Sequence, residues 1–257
     1  MNSKRKLAIL QIYWDLMNFL ESIFNLIGLE LRFYNPSTSE KALLKYLLKK
    51  YNITVLLDVG ASKGQFGKKL LSTNYKGRLY SFEPISDSFS VLDTLSKKHA
   101  NWTAFHMGLG EKEETITMNI SLNSDSSSIL EMHDTHVKNA DIAAFYKKET
   151  INISTLDKVV HSQQLDSRSM YLKMDVQGYE KMLLLGAKEI LPQIKIIQTE
   201  LSLTTLYHGG SLIEEMIGLL REEGFELYSL VPGFKNKRTG QILQMDGFFI
   251  NKRFGIA

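Results

Sequence analysis

Two hydrophobic rhythms alternate along most of the chain. Val55, Leu56, Leu57 and Val59 form a short, branched apolar run of the kind that fills a central parallel strand. Similar short runs recur at Arg78–Phe82, Thr103–His106, Met170–Met174 and Gln193–Leu201, the last with Ile194, Ile196 and Ile197. Between them lie stretches with helical spacing. Glu40–Lys50 carries Leu43, Leu44, Leu47 and Leu48, with Thr38 or Ser39 as its cap. Gln65–Leu71 carries Phe66, Leu70 and Leu71, and Ser86–His99 carries Phe89, Leu92 and Leu95. A further helix follows Tyr179 through Leu185, and Leu212–Glu223 ends at Gly224. Glu114–Ile120 alternates as an extra strand, and Asn152–Leu156 leads into the second half of the sheet. Phe225–Leu230 and Gln244–Ile250 are joined by the short polar stretch Val231–Gly240, so they pair antiparallel. Strand–helix alternation of this kind predicts an α/β fold with a doubly wound, mainly parallel sheet.

The first 31 residues break that rhythm. After the basic run Lys4, Arg5 and Lys6, Leu7 to Leu31 is strongly apolar. Gln11, Asp15, Asn18, Ser22 and Asn25 recur at three- and four-residue steps, which lines one polar stripe on a helix. Asp15 and Glu21 interrupt the apolar centre that a signal peptide or bilayer span requires. Packing on the domain or against a dimer partner is the preferred reading, and peripheral membrane contact is the sharper one. Asn35-Pro36-Ser37-Thr38-Ser39 is a turn-rich break. It divides the chain into an N-terminal helical appendage, 1–35, and a domain over 36–257.

Composition narrows the class without naming it. A chain of 257 residues can bury a large core, and a net charge of +3 gives no case for a nucleic-acid partner. The absence of cysteine excludes disulfides and thiolate metal sites and fits a reducing, cytoplasmic setting.

The candidate chemistry gathers where predicted strands end. After the first strand, Asp58, Gly60 and Gly64 give the order Asp-x-Gly-x-x-x-Gly, with Gly67 beyond. A turn of this form can hold a ligand against N–H groups at a helix start, or simply turn the chain. A dinucleotide fold would want a second glycine that is missing here. Glu83, followed by Pro84, closes the second strand beside that turn, where a carboxylate can accept from both hydroxyls of a ribose. Asp175 closes the fourth strand and can take a proton, orient a cofactor's amino group or bind a divalent ion. Glu200 closes the fifth strand at the same edge, so the two acids form a candidate magnesium pair. His208 follows in the loop Tyr207-His208-Gly209-Gly210 and is a candidate base. Glu180 has a plain role at a helix start. Ser124–Ser128 reads either as a loop closing over a ligand or as a solvated linker. His133 and His136 with Asp134 read either as a metal pair or general base or, by preference, as plain surface residues in a polar insertion.

Together these residues resemble the FkbM family of S-adenosylmethionine-dependent methyltransferases. The matching pieces are Leu57–Gln65, Phe82-Glu83-Pro84, Gly108-Leu109-Gly110, Ser126–Ser128, Thr155-Leu156-Asp157, Lys173–Glu180, Glu200 and Asp246–Phe249. The resemblance implies a class I methyltransferase, Rossmann-like seven-stranded sheet. It implies cofactor contacts at Asp58, Gly60, Ala61, Ser62, Gly64, Glu83 and Gly108, with Asp175 beside them. It implies methyl transfer to a hydroxyl on a sugar, glycan or natural product. Magnesium is an option at Asp175 and Glu200. One departure stands out, for the family commonly has glutamate where this chain has Gln177, and an amide takes no proton at neutral pH. Two rival readings are a nicotinamide-dependent oxidoreductase and a cofactor-binding protein without turnover.

Overall fold

The computed structural model describes residues 3–30, 33–121, 127–133, 145–165 and 169–255. The chain divides into two compact units, 1–46 and 47–257. In the first unit, helix α1 spans Ser3–Leu26. Its following turn is held by Asn35, whose Oδ1 accepts from the Ser37 N–H at 2.9 Å. Helix α2, Glu40–Lys50, begins in this unit and carries the chain into the second. Ser39 Oγ accepts from the Ala42 N–H at 3.4 Å, the cap expected for it.

The second unit is built on a seven-stranded sheet among the described residues. Its strands are β1 (Val55–Val59), β2 (Arg78–Phe82), β3 (Trp102–Phe105), β7 (Met170–Met174), β8 (Ile194–Ser202), β9 (Phe225–Pro232) and β10 (Gln244–Asn251). They lie in the order β3-β2-β1-β7-β8-β10-β9. All pairings from β3 to β8 are parallel, and β10 runs against both β8 and β9. β1 and β7 are buried at every position because helices cover both faces, which is why their apolar runs are continuous. Crossover helices α3 (Gln65–Leu71), α4 (Ser86–Ser96), α6 (Glu180–Leu185) and α7 (Ile213–Glu222) join the strands. The α/β class, the mainly parallel seven-stranded sheet and the antiparallel last pair are as the sequence predicts.

A second sheet stands beside the first. Strands β4 (Gly108–Leu109), β5 (Glu114–Ser121) and β6 (Phe145–Ser154) pair in the order β4-β6-β5. Helix α5 (Leu156–Ser162) follows, capped by the Thr155 hydroxyl, which accepts from the Lys158 N–H. Ile85, Met118, Ile120, Ile151 and Ile153 form the apolar cluster on this sheet. The sequence shows β5 but puts the start of β6 inside a polar insertion. Gly108, a cofactor contact by the family resemblance, lies buried in this second sheet, paired with Ile153.

Candidate active site

The site grows from the carboxyl ends of β1, β2, β7 and β8. Asp58 sits in the middle of three strands, level with Ser81 on one side and Lys173 on the other. Its Oδ2 accepts from Ser81 Oγ at 3.2 Å, and Lys173 Nζ lies 3.5 Å from its Oδ1. The carboxyl is fully buried, and burial pushes its pKa up against the pull of Lys173. Asp58 Oδ1 has no hydrogen-bond partner among the described residues. Asp58 therefore works from beneath the turn, through Lys173, and does not line an open surface.

The turn after β1 is drawn tightly inward. Gly60, Ser62 and Gly64 all have left-handed backbones. A Cβ on Gly60 would come within 1.8 Å of the Asp175 carbonyl oxygen, so this glycine lets β1 and β7 end against each other. The N–H groups of Gly60 and Ala61 both donate to the Phe82 carbonyl. That of Ser62 donates to Glu83 Oε2 at 2.8 Å, and that of Gly64 to the Ala61 carbonyl. These four donors are spent within the protein, on β2, on Glu83 and on the turn. A Cβ on Gly64 would press on Leu95, Leu92 and Trp102, so Gly64 serves the packing of α3. The turn is tied to Glu83, which is itself buried. Its Oε1 accepts from the Ile85 N–H at 2.9 Å while Oε2 accepts from Ser62, so the carboxylate is clamped at the edge of β2 by two backbone groups.

Across the crevice, Asp175 is held from two directions. Lys173 Nζ donates to its Oδ2 at 3.2 Å, and Gln177 Nε2 donates to its Oδ1 at 2.8 Å. Lys173 is buried and also stands 5.2 Å from the centre of the Phe66 ring. Burial by itself would lower its pKa, but Asp175 and Asp58 hold it above the usual lysine range, so it is a fixed cation.

Gln177 is the hub of a polar network. Its Nε2 also donates to Glu200 Oε2 at 3.1 Å, and its Oε1 accepts from the Tyr207 hydroxyl at 2.5 Å. The opposite amide orientation would aim its oxygen at two carboxylates. Gln244 Nε2 donates to Glu200 Oε2 at 2.6 Å. Burial, then the charges of Asp175 and Asp246, push the Glu200 carboxyl well above its ordinary range. Tyr207 is buried, and burial with the Glu200 charge raises its hydroxyl pKa as well. Gln177 and Gly178 both take positive φ, and this kink brings the amide under Tyr207. Ser128 Oγ donates to the Gln177 carbonyl at 2.7 Å, and Glu180 Oε1 accepts from the Val176 and Gly178 N–H groups.

The structure thus brings Asp58, Asp175 and Glu200 into one connected cluster and places Glu83 at the neighbouring strand end. It does not assemble Asp175 and Glu200 as a magnesium site. Gln177 Nε2 donates to both acids, Lys173 Nζ to Asp175 and Gln244 Nε2 to Glu200, so N–H donors stand where a cation wants oxygen ligands. Among the described residues no group of three or more His, Asp or Glu could hold a metal ion. His208 lies against His133, with ring centres 5.1 Å apart and planes tilted by 55°, and its backbone N–H donates to the Glu131 carbonyl. Among the described residues no hydrogen bond joins its ring to Asp175. Ser127 and Ser128 are buried parts of the site's frame, so this end of the serine run is no solvated linker. Ser124 to Ser126, Asp134 and His136 lie outside the described residues. Sequence reasoning missed Lys173, Tyr207 and Gln244 as site residues. A lysine two positions before Asp175 in an otherwise apolar strand is the one signal that could have pointed to the cluster.

Comparison with known proteins gives the family. Residues 58–227 match the methyltransferase FkbM domain. The 2-O-methyltransferase NoeI of Sinorhizobium fredii (strain NBRC 101917 / NGR234) is 25% identical over 191 residues, 69% of this chain and 74% of its own. Among solved structures, methyltransferase FkbM from Methylobacillus flagellatus KT aligns over 76% of this chain at 16% identity and a TM-score of 0.46. The chain spans only 44% of that protein's length. The magnesium protoporphyrin IX methyltransferase of Synechocystis PCC 6803, solved with bound SAM, aligns over 82% of this chain and 77% of its own at 8% identity and a TM-score of 0.45. The match over 58–227 takes in both the turn after β1 and the Asp175–Glu200 cluster, and the chain belongs to the FkbM family of methyltransferases.

Proposed function

We propose that the protein uses S-adenosyl-L-methionine to methylate a hydroxyl oxygen of a sugar, glycan or natural product. The observation that carries this is Glu83, a carboxylate clamped by two backbone N–H groups at the edge of β2. A carboxylate there suits a ribose diol, because it accepts and never donates. The donor set therefore fits a nucleoside cofactor. When bound, that cofactor supplies an electrophilic methyl group on a sulfonium.

The rest is work for the chain's own groups. Asp175 lies at the open end of the cluster, with 37% of its side chain exposed, the right place to accept a hydroxyl proton. Lys173 and Gln177 fix the direction of its oxygens, so little reorganisation accompanies proton transfer. Glu200, with its raised proton affinity, is tied to Asp175 through the same Gln177 amide. The finding that NoeI is a 2-O-methyltransferase supports oxygen as the acceptor atom.

The test has two parts. Calorimetric titration with S-adenosylhomocysteine should show one site, and Glu83→Ala should weaken it by roughly 100-fold. Methyl transfer from labelled cofactor to a panel of hydroxylated acceptors should fall by about 100-fold or more in Asp175→Asn, with nucleoside affinity little changed. No uptake by folded wild-type protein ends the cofactor reading. Full turnover in Asp175→Asn ends the role given to that acid.

A further inference from the structure

Helix α1 carries an apolar stripe that the methyltransferase reading leaves unused. We propose that this stripe pairs with the same stripe on a second copy of the chain, antiparallel, as a self-complementary seam. Ile12, Leu16, Phe19, Ile23 and Leu26 follow one another at steps of four, three, four and three. That is the alternation of a coiled-coil seam, two apolar positions in every seven residues. All five are exposed, from 41% at Ile23 to 86% at Leu26. Met17, Leu20 and Phe24, on the adjoining arc, are already half-buried. Leu7, Tyr13 and Trp14 are exposed as well but lie off this line.

Area favours a pair. A fully exposed large apolar residue presents roughly 200 Å², so the five together offer roughly 600 Å² and two copies about 1,200 Å². That reaches the lower edge of a specific protein interface. The 24-residue helix is about 36 Å long, enough for the whole seam.

Charge gives the direction. The basic residues, Lys4, Arg5 and Lys6, stand at one end of the segment, and Asp15, Glu21 and Glu30 follow toward the other. An antiparallel pair centred between Met17 and Asn18 sets Ile12 against Ile23 and Leu16 against Phe19. It also sets the basic start of one helix beside the far end of the other, and it opposes the two helix dipoles favourably. A parallel pair would set the basic runs against each other. A bilayer surface is the weaker partner, because the basic residues of α1, Lys4, Arg5 and Lys6, stand in its first turn alone, and the polar stripe of Gln11, Asp15, Asn18, Ser22 and Asn25 holds no cation to grip anionic headgroups. No helix among the described residues is long and apolar enough to cross a membrane.

The absence of cysteine makes the geometry testable in the full chain. Light scattering at micromolar concentration should give twice the 29.3 kDa chain mass. Leu16→Glu and Phe19→Glu should each weaken association by about 100-fold or more, while Asn18→Gln on the polar stripe should leave it intact. Mixed Ile12→Cys and Ile23→Cys chains should cross-link to each other on mild oxidation, and Leu26→Cys alone should not cross-link to itself. A monomeric wild type overturns the proposal, as does a dimer untouched by both glutamate variants. Self-linking by Leu26→Cys overturns the antiparallel direction. A monomer that floats with phosphatidylglycerol vesicles, and ceases to in Phe19→Glu, would give the stripe to lipid instead. S-adenosylhomocysteine uptake by Phe19→Glu should equal that of wild type, so this pairing and the cofactor reading fail separately.

Discussion

At the scale of single residues, Gln177 and Glu180 settle how a cluster of acids stays folded. Gln177 is the neutral spacer between Asp175 and Glu200. Gln177→Glu would remove both N–H donors and add a third carboxylate. We expect it to cost about 1–3 kcal/mol of stability near neutral pH, with part of that recovered on acidification as the cluster takes up a proton. Urea denaturation on both sides of the carboxylate range checks this, and equal stability at neutral pH would show that the bridge holds little. Glu180 makes a second, pH-dependent prediction. Burial raises its carboxyl from 4.5 to about 7, against the two N–H groups it accepts. An acid with a raised folded pKa binds more protons folded than unfolded between those values. Stability from this group is therefore highest at low pH and falls as pH climbs from 4.5 to about 7, then levels. Glu180→Gln can keep the acceptor oxygen but cannot ionise. Its stability relative to wild type should rise across that window by up to about 3 kcal/mol, read by denaturation at several pH values.

At the scale of elements, glycines show which junctions bear the fold. Gly60 and Gly224 both have positive φ, but a Cβ on Gly60 meets the Asp175 carbonyl at 1.8 Å while one on Gly224 meets nothing. Gly224→Ala should cost only the backbone conformation, about 1–2 kcal/mol. Gly60→Ala must also force β1 and β7 apart and should cost about 4 kcal/mol or fail to fold. Thermal unfolding of the pair separates the two costs, and similar losses would mean the β1–β7 junction can yield. These junctions were legible in sequence, because a solid apolar run followed by Asp58-x-Gly60 and by Asp175 marks strand ends directly. β6 was not legible. Its partner β5 ends 24 positions earlier in the chain, and Lys147, Lys148 and Glu149 give it the look of a solvated insertion. Only pairing with β5 across that distance makes Ile151 and Ile153 core residues. The network around Gln177 was hidden for a related reason. Glutamine, tyrosine and lysine read as surface types one at a time; the strand register turns Lys173 toward Asp58, and the loops after β7 and β8 bring Gln177 and Tyr207 together.

At the scale of the whole molecule, ligand binding and folding must be linked. The clamp on Glu83 joins β2 to the turn after β1, and Asp175 joins the end of β7 to that of β1 through its N–H on Val59. A nucleoside spanning these strand ends meets groups that are in register only in the folded sheet. It binds the folded state alone, so it must stabilise that state by mass action. At a hundredfold excess over its dissociation constant, S-adenosylhomocysteine should add about 2.7 kcal/mol, a rise of about 5–10 °C in Tm for a domain of this size. Glu83→Ala should lose most of that rise. Nicotinamide dinucleotide should give none, because the turn keeps the N–H groups of Gly60, Ala61 and Gly64 for its own bonds and has no glycine for a pyrophosphate to approach. A shift with the dinucleotide and none with the sulfur nucleoside would reassign the crevice. The same shift in wild type and Glu83→Ala would keep the ligand but move its ribose away from β2.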